Sequence, residues 1–155
     1  MTDMKTYYSA YIVPELTRQH ILDIFPAKFD KVVAHHVTYD FDVAEEQKPP
    51  ECTDAYIVGC HANDRIQALV IELDGQRFQQ TENEKRYLHL TLSRDTKQNV
   101  RSVESNDLLE TIVAKSGEVA LYNLTNPVKI TVEAAVLSRC VKTPDSLKNT
   151  QKPHL

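Results

Sequence analysis

A chain of 155 residues, 41% hydrophobic and 26% charged, is long enough for one well-buried core and too short for two domains of ordinary size. Its 22 acidic against 18 basic side chains, a net charge of −4, exclude the whole-molecule positive field that strengthens binding to long duplex nucleic acid; short or cyclic nucleotides, with few phosphates, remain suitable ligands. Three cysteines at irregular spacing, Cys52, Cys60 and Cys140, suit reduced thiols, and with neither a transmembrane run nor a basic-then-apolar leader the expected setting is cytoplasmic and away from membranes.

Residues 7–13, YYSAYIV, are rich in aromatic and β-branched side chains and predict a strand. Pro14 stops it and suits the first turn of a helix, along which Leu16, Ile21, Ile24 and Phe25 recur at helical spacing until Pro26. His20 lies on or beside that stripe and reads as an ordinary helical histidine. Residues 31–41, KVVAHHVTYDF, predict a second strand. Because strand side chains alternate, Val33, Val37, Tyr39 and Phe41 form an apolar row, and Ala34, His36, Thr38 and Asp40 a small, polar one. Residues 42–53, charged and with paired prolines, predict a loop.

Residues 55–61 and 65–73 read as strands joined in a hairpin through Ala62-Asn63-Asp64, and Asp74-Gly75 ends the second. Residues 76–85 have no apolar period and predict a polar loop. In residues 86–94, RYLHLTLSR, Leu88, Leu90 and Leu92 make a buried row while His89, Thr91 and Ser93 make a polar one. Ser102 or Ser105 is the expected N-cap of a helix with Leu108, Leu109, Ile112 and Val113 as its stripe and Gly117 as its stop. A last strand follows over residues 128–137. Residues 142–155, which include His154, read as a flexible tail, leaving 1–141 as a single domain. Few helices and adjacent strands with short links predict an α+β protein with mainly antiparallel pairing.

The repeated unit is the main functional signal. His36 and Thr38 share one strand face, and so do His89 and Thr91. Two histidines facing one another across a cleft can run acid–base chemistry near neutral pH, since a neutral imidazole accepts a proton and a protonated one donates it. On a phosphodiester, one would activate water and the other would protonate the leaving oxygen, with the threonine hydroxyls on the non-bridging oxygens. Tyr8 and Tyr11 are candidates for stacking on a base, and Arg94, with Lys85 and Arg86, is a candidate phosphate contact.

His36-Val37-Thr38 and His89-Leu90-Thr91 resemble the paired His-x-Thr signature of the 2H phosphoesterase superfamily, the LigT-like RNA cyclic phosphodiesterases and their relatives. The order of elements over residues 7–139 is similar as well, including QALVIEL ahead of RYLHLTLS. The resemblance implies a compact bilobal fold, with two mainly antiparallel sheets around a central groove. It also implies metal-independent hydrolysis of cyclic or 2′-linked nucleotide phosphodiesters, such as a cyclic nucleotide signal or an RNA 2′,3′-cyclic phosphate end. His36 and His89 would be the acid–base pair, Thr38 and Thr91 would bind phosphate, and no cofactor would be needed. A nucleotide- or RNA-binding module that keeps the groove without turnover is the alternative.

Other groupings are weaker. His35 shares the face of Val33 and Val37 and reads as a packed or edge histidine with a structural role. Cys52, Cys60, His61, His35 and His89 show no Cys-x-x-Cys or His-x-x-x-His spacing, so a metal site is not expected. Cys60 has only His61 beside it, on the opposite strand face, and so lacks an activating partner.

Overall fold

The computed structural model describes residues 4–81 and 83–141, with side chains over 5–139; the tail at 142–155, His154 and the Cys140 side chain lie outside the described residues. The chain is α+β. It opens with β1 (Met4–Ile12) and α1 (Glu15–Ile24), followed by β2 (Lys31–Val32) and β3 (His36–Asp40). Next come β4 (Ala55–Ala62), β5 (Ile66–Leu73), β6 (Phe78–Gln80), β7 (Lys85–Tyr87) and β8 (His89–Arg94). After a 3₁₀ turn come α2 (Glu104–Ser116), a second 3₁₀ turn, β9 (Val128–Ile130) and β10 (Glu133–Val141). No helix among the described residues is long and apolar enough to cross a membrane.

Two separate sheets around a groove were the expectation; the strands instead form one large antiparallel sheet in the order β10-β1-β3-β8-β5-β4-β9, with β2 paired to β8. β6 and β7 form a small hairpin apart from it. Near its middle the sheet is narrow, because β3 and β8 are paired only at Val37↔Leu90. Its two outermost strands, β9 and β10, are consecutive in the chain and separated only by Thr131 and Val132. A link of three Cα steps spans at most roughly 11 Å, so the sheet curls until its opposite edges adjoin. The main core lies inside that curl, built from Val37, Ile57, Leu69, Ile71, Leu88, Leu90, Leu92 and their neighbours.

β5 shows how the helices are placed. Leu69, Ile71 and Leu73 enter the main core, while Ile66, Ala68 and Val70, on its other face, pack with Leu108 and Leu109 of α2. A strand buried on both faces requires an unbroken apolar run, which QALVIEL supplies. The hairpin into it is closed by Asn63, whose Oδ1 accepts the backbone N–H of Arg65 and Ile66 at 2.8 Å each.

Several expected details differ. On α1, Ile21 is buried with Leu22 and Phe25 against the core, but Leu16 is 81% exposed and Ile24 is also exposed. At 3.6 residues per turn Leu16 sits about 140° around the helix from Ile21. The inward stripe is therefore Arg18, Ile21, Leu22 and Phe25, with Arg18 donating from Nε to the Val33 carbonyl at 3.3 Å. The presumed loop at 76–85 contains β6 and the start of β7, anchored by Phe78 and Tyr87 against a second core cluster. The expected last strand is two strands, which leave for opposite edges of the sheet. Neither Ser102 nor Ser105 caps α2, which starts after Val103 without a side-chain cap.

Candidate active site

Val37 and Leu90 are fully buried, pointing into the core, so the residues on either side of each point the other way. His36, Thr38, His89 and Thr91 accordingly line one groove of about 110 Å³. Since β3 and β8 run antiparallel through Val37↔Leu90, His36 lies on the side of Thr91 and His89 on the side of Thr38. The two motifs are thus related by a local two-fold arrangement. Tyr8, Phe41 and Arg139 close one flank of the groove; Ser102, Val103 and Asn106 close another.

His89 is held by the backbone. Its Nδ1 lies 2.8 Å from the Tyr87 carbonyl oxygen, which can only accept, so Nδ1 carries the proton and Nε2 of the neutral ring is a bare acceptor. Burial, reinforced by the Arg86 charge and opposed by the bond to Tyr87, holds the His89 pKa below the ordinary value. His36 is held by a side chain instead, its Nδ1 lying 2.7 Å from Nδ1 of His35. Burial first, then the nearby His35 and His89, pull its pKa down to about 4. At neutral pH both groove histidines are therefore uncharged.

The threonines differ in the same way. Thr91 Oγ1 lies 2.8 Å from the buried Ser105 Oγ and 3.4 Å from the Ser102 carbonyl oxygen, whereas the Thr38 hydroxyl makes no hydrogen bond among the described residues. Arg86 reaches from β7, donating from Nη2 to the Tyr39 carbonyl, with its guanidinium 4.7 Å from the Phe41 ring centre.

Of the other candidates, Tyr8 does line the groove, its ring 5.6 Å from that of His36. Tyr11 does not. It is three residues along the strand and so on the other face, buried in the core with its hydroxyl donating to the Pro50 carbonyl at 2.5 Å. Arg94 is not in the groove either: beyond the register shift of β8 against β5 it donates from Nη1 to the Val100 carbonyl at 2.6 Å. His35 is neither packed nor at a core face; it is exposed and bonded to His36.

Groove residues outside the expected set have specific origins. Alternation is interrupted at both ends: Ala34 has a left-handed φ of 44° before β3, and β3 carries an extra residue at Tyr39, since Thr38 pairs with Ala10 and Asp40 with Ser9. Ala34 therefore turns into the core, while Val33 and Phe41 line the groove. Arg139 lies beyond the expected end of the last strand, in a β10 that runs on to pair with β1 at Thr6↔Arg139. Ser105 carries no signal beyond its helix position; only the fold brings it to Thr91.

Burial pushes the Cys52 thiol up to about 11 and raises that of Cys60, so neither is a ready nucleophile. His61 Nε2 lies 2.9 Å from the Leu121 carbonyl oxygen, to which it donates. Among the described residues no group of three or more His, Cys, Asp or Glu side chains is gathered as a metal ion would require. Compared with known protein families, curated proteins and solved structures, the chain matches none.

Proposed function

We propose that the groove is the active site of a phosphodiesterase of the 2H type, hydrolysing cyclic or 2′-linked nucleotide phosphodiesters without a metal. The observation that carries this reading is the meeting of His36, Thr38, His89 and Thr91 on one groove wall, each histidine beside the other motif's threonine. A bilobal description suits the same architecture. β10-β1-β3 with α1 form one half, β8-β5-β4-β9 with α2 the other, and the groove follows their narrow junction.

In this reading His89, with Nε2 bare, takes the proton of the attacking water. His36 delivers a proton from its own Nε2 to the leaving oxygen. Thr38 and Thr91 donate to the non-bridging oxygens; if Ser105 donates to Thr91 Oγ1, the Thr91 hydrogen is released from its long contact with the Ser102 carbonyl to the phosphate. Arg86 and Arg139 offset the anionic charge.

The test is an assay of the purified chain on 2′,3′-cyclic nucleotides, 3′,5′-cyclic nucleotides, short 2′-5′-linked oligomers and a long RNA with a cyclic phosphate end, across a salt series. Turnover of a small substrate with shallow salt dependence is expected. Saturable binding of all of them with no product would instead establish the non-catalytic nucleotide-binding module. A preference of tenfold or more for the long RNA that collapses with salt would reveal a basic track.

A further inference from the structure

His35 is left unused by that scheme, yet its Nδ1 is 2.7 Å from Nδ1 of His36, with the two rings 5.0 Å apart and nearly perpendicular at 86°. At this distance one hydrogen must sit between the nitrogens. Two bare nitrogens would oppose their lone pairs, and two N–H groups would clash. The tautomers are therefore linked. When His35 donates, His36 carries its proton on Nε2, toward the groove; when His36 donates, its Nε2 is bare. His35 is exposed to solvent, so its far nitrogen meets bulk water in both states. Its main chain is fixed, the carbonyl accepting the Val13 N–H at 2.9 Å.

We propose that His35 relays protons between bulk water and His36, so that the first motif works through a two-imidazole wire and the second does not. The inference rests on the phosphodiesterase reading above and assigns His35 a positioning and relay role that acts through His36.

The proton count closes. As His36 releases its Nε2 proton to the leaving oxygen, the Nδ1 proton of His35 crosses to Nδ1 of His36, and Nε2 of His35 takes one proton from water. Both rings remain neutral, with their tautomers reversed. His89, which gained the proton of the attacking water, then passes it through groove water to Nε2 of His36. The shared proton returns to His35, whose Nε2 proton leaves to solvent, restoring the start. His89 has no equivalent route, because its Nδ1 faces a carbonyl that cannot accept the proton outright. The other titratable or charged groups around His36 are Tyr8 from β1, His89 from β8, and Arg86 and Arg139 along the groove. Burial keeps the Tyr8 phenol protonated, and guanidinium groups do not exchange charge at neutral pH, which leaves His35 as the relay partner.

Two measurements test this. In the substrate-free, ¹⁵N-labelled chain, a scalar coupling between the two Nδ1 nuclei is expected across the shared hydrogen; absence of coupling with both Nδ1 bare overturns the proposal. In kinetics, His35→Ala and His35→Asn are both expected to lower kcat at least about tenfold, short of the roughly 10²- to 10⁴-fold of a direct acid–base group, with KM and melting unchanged. The asparagine amide can occupy the place of Nδ1 but cannot pass a proton through, so wild-type turnover in His35→Asn means His35 only holds the ring and overturns the relay. Imidazole in the buffer should restore His35→Ala and leave His36→Ala inactive; failure to restore it also overturns the relay. If the wild-type chain hydrolyses none of the substrates, the phosphodiesterase reading fails by itself. The relay is then decided by the coupling and by slower exchange of the His36 ring proton with water in His35→Ala.

Discussion

The two His-x-Thr segments carry the same three-residue pattern on very different supports. The second is paired through β8 to β5 on one side, with a register shift between Thr91 and Ser93, and to β2 and β3 on the other. Its three leucines are fully buried, its histidine is pinned to a backbone carbonyl and its threonine to a buried serine. The first is a short strand between two left-handed residues, paired along its length to β1 but to β8 at one position only, with a histidine that leans on a solvent-exposed neighbour. Both strands belong to the sheet, but the polar side chains of the second motif are tied into the framework and those of the first are not. Equivalent substitutions should therefore separate into effects on fold and effects on chemistry.

The largest expected effect is shared. His36→Ala and His89→Ala should each lower turnover by roughly 10² or more with both proteins still folded. Rate assays alongside thermal melts check it, and full activity in either variant would remove that residue from the machinery.

The threonines should break the symmetry. Thr91→Val strands the buried Ser105 hydroxyl, a loss of about 1–3 kcal/mol in stability, as well as slowing turnover. Thr38→Val removes no internal hydrogen bond and should slow turnover with an unchanged melt. Denaturant titration of both variants decides it; equal destabilisation would mean that the first motif is as deeply integrated as the second.

A smaller effect follows from proton linkage. The folded His36 pKa of about 4 lies below the roughly 6.5 of an unfolded histidine. Between those values the unfolded chain binds a proton that the folded chain refuses. This contribution to stability is full above about pH 6.5 and falls as the pH drops toward 4, by up to about 1.4 kcal/mol per pH unit. His89, also lowered, adds with the same sign. Denaturant midpoints from pH 7 to 4 should show a shallower slope in His36→Gln than in the wild type; identical slopes would contradict the assigned burial of the ring. The smallest effect is none at all: exhaustive chelation with EDTA should leave turnover unchanged, and loss restored by zinc or manganese would defeat the metal-free scheme.

The contrast also explains which parts could be read from residues alone. Alternation is a sound guide where the register is unbroken, and Leu88, Leu90, Leu92, His89 and Thr91 all fall where it puts them. It fails at Val33 and Ala34, where Ala34 adopts a left-handed φ; at Phe41, beyond the extra residue of β3 at Tyr39; and at Ser93, which lies beyond the register shift of β8 and bonds to Gln67 and not in the groove. Tyr11 is separable from Tyr8 by parity along the strand, whereas the register shift that precedes Arg94 has no such local sign. The α+β class and both helices were legible, while the single curled sheet was not, since only the pairing of β9 with β4 and β10 with β1 reveals it. Arg139 reaches the groove, and Ser105 reaches Thr91 behind it, through contacts distant in sequence, which no local pattern encodes.

The pairing of β1 with β10 bears on how the protein is made. Thr6 and Arg139 are bonded across 133 positions, so on a ribosome adding roughly 5–20 residues per second the outer edge of β1 waits on the order of ten seconds for its partner. That strand, MKTYYSAYI, is aromatic and carries few charges, the composition of a segment that pairs readily with other chains when its edge is bare. The nascent chain is therefore most exposed to misassociation late in synthesis, and the groove acquires its outer arginine only when β10 docks. Purified chains truncated before and after β10 would show aggregation falling, and nucleotide binding appearing, once that strand is complete.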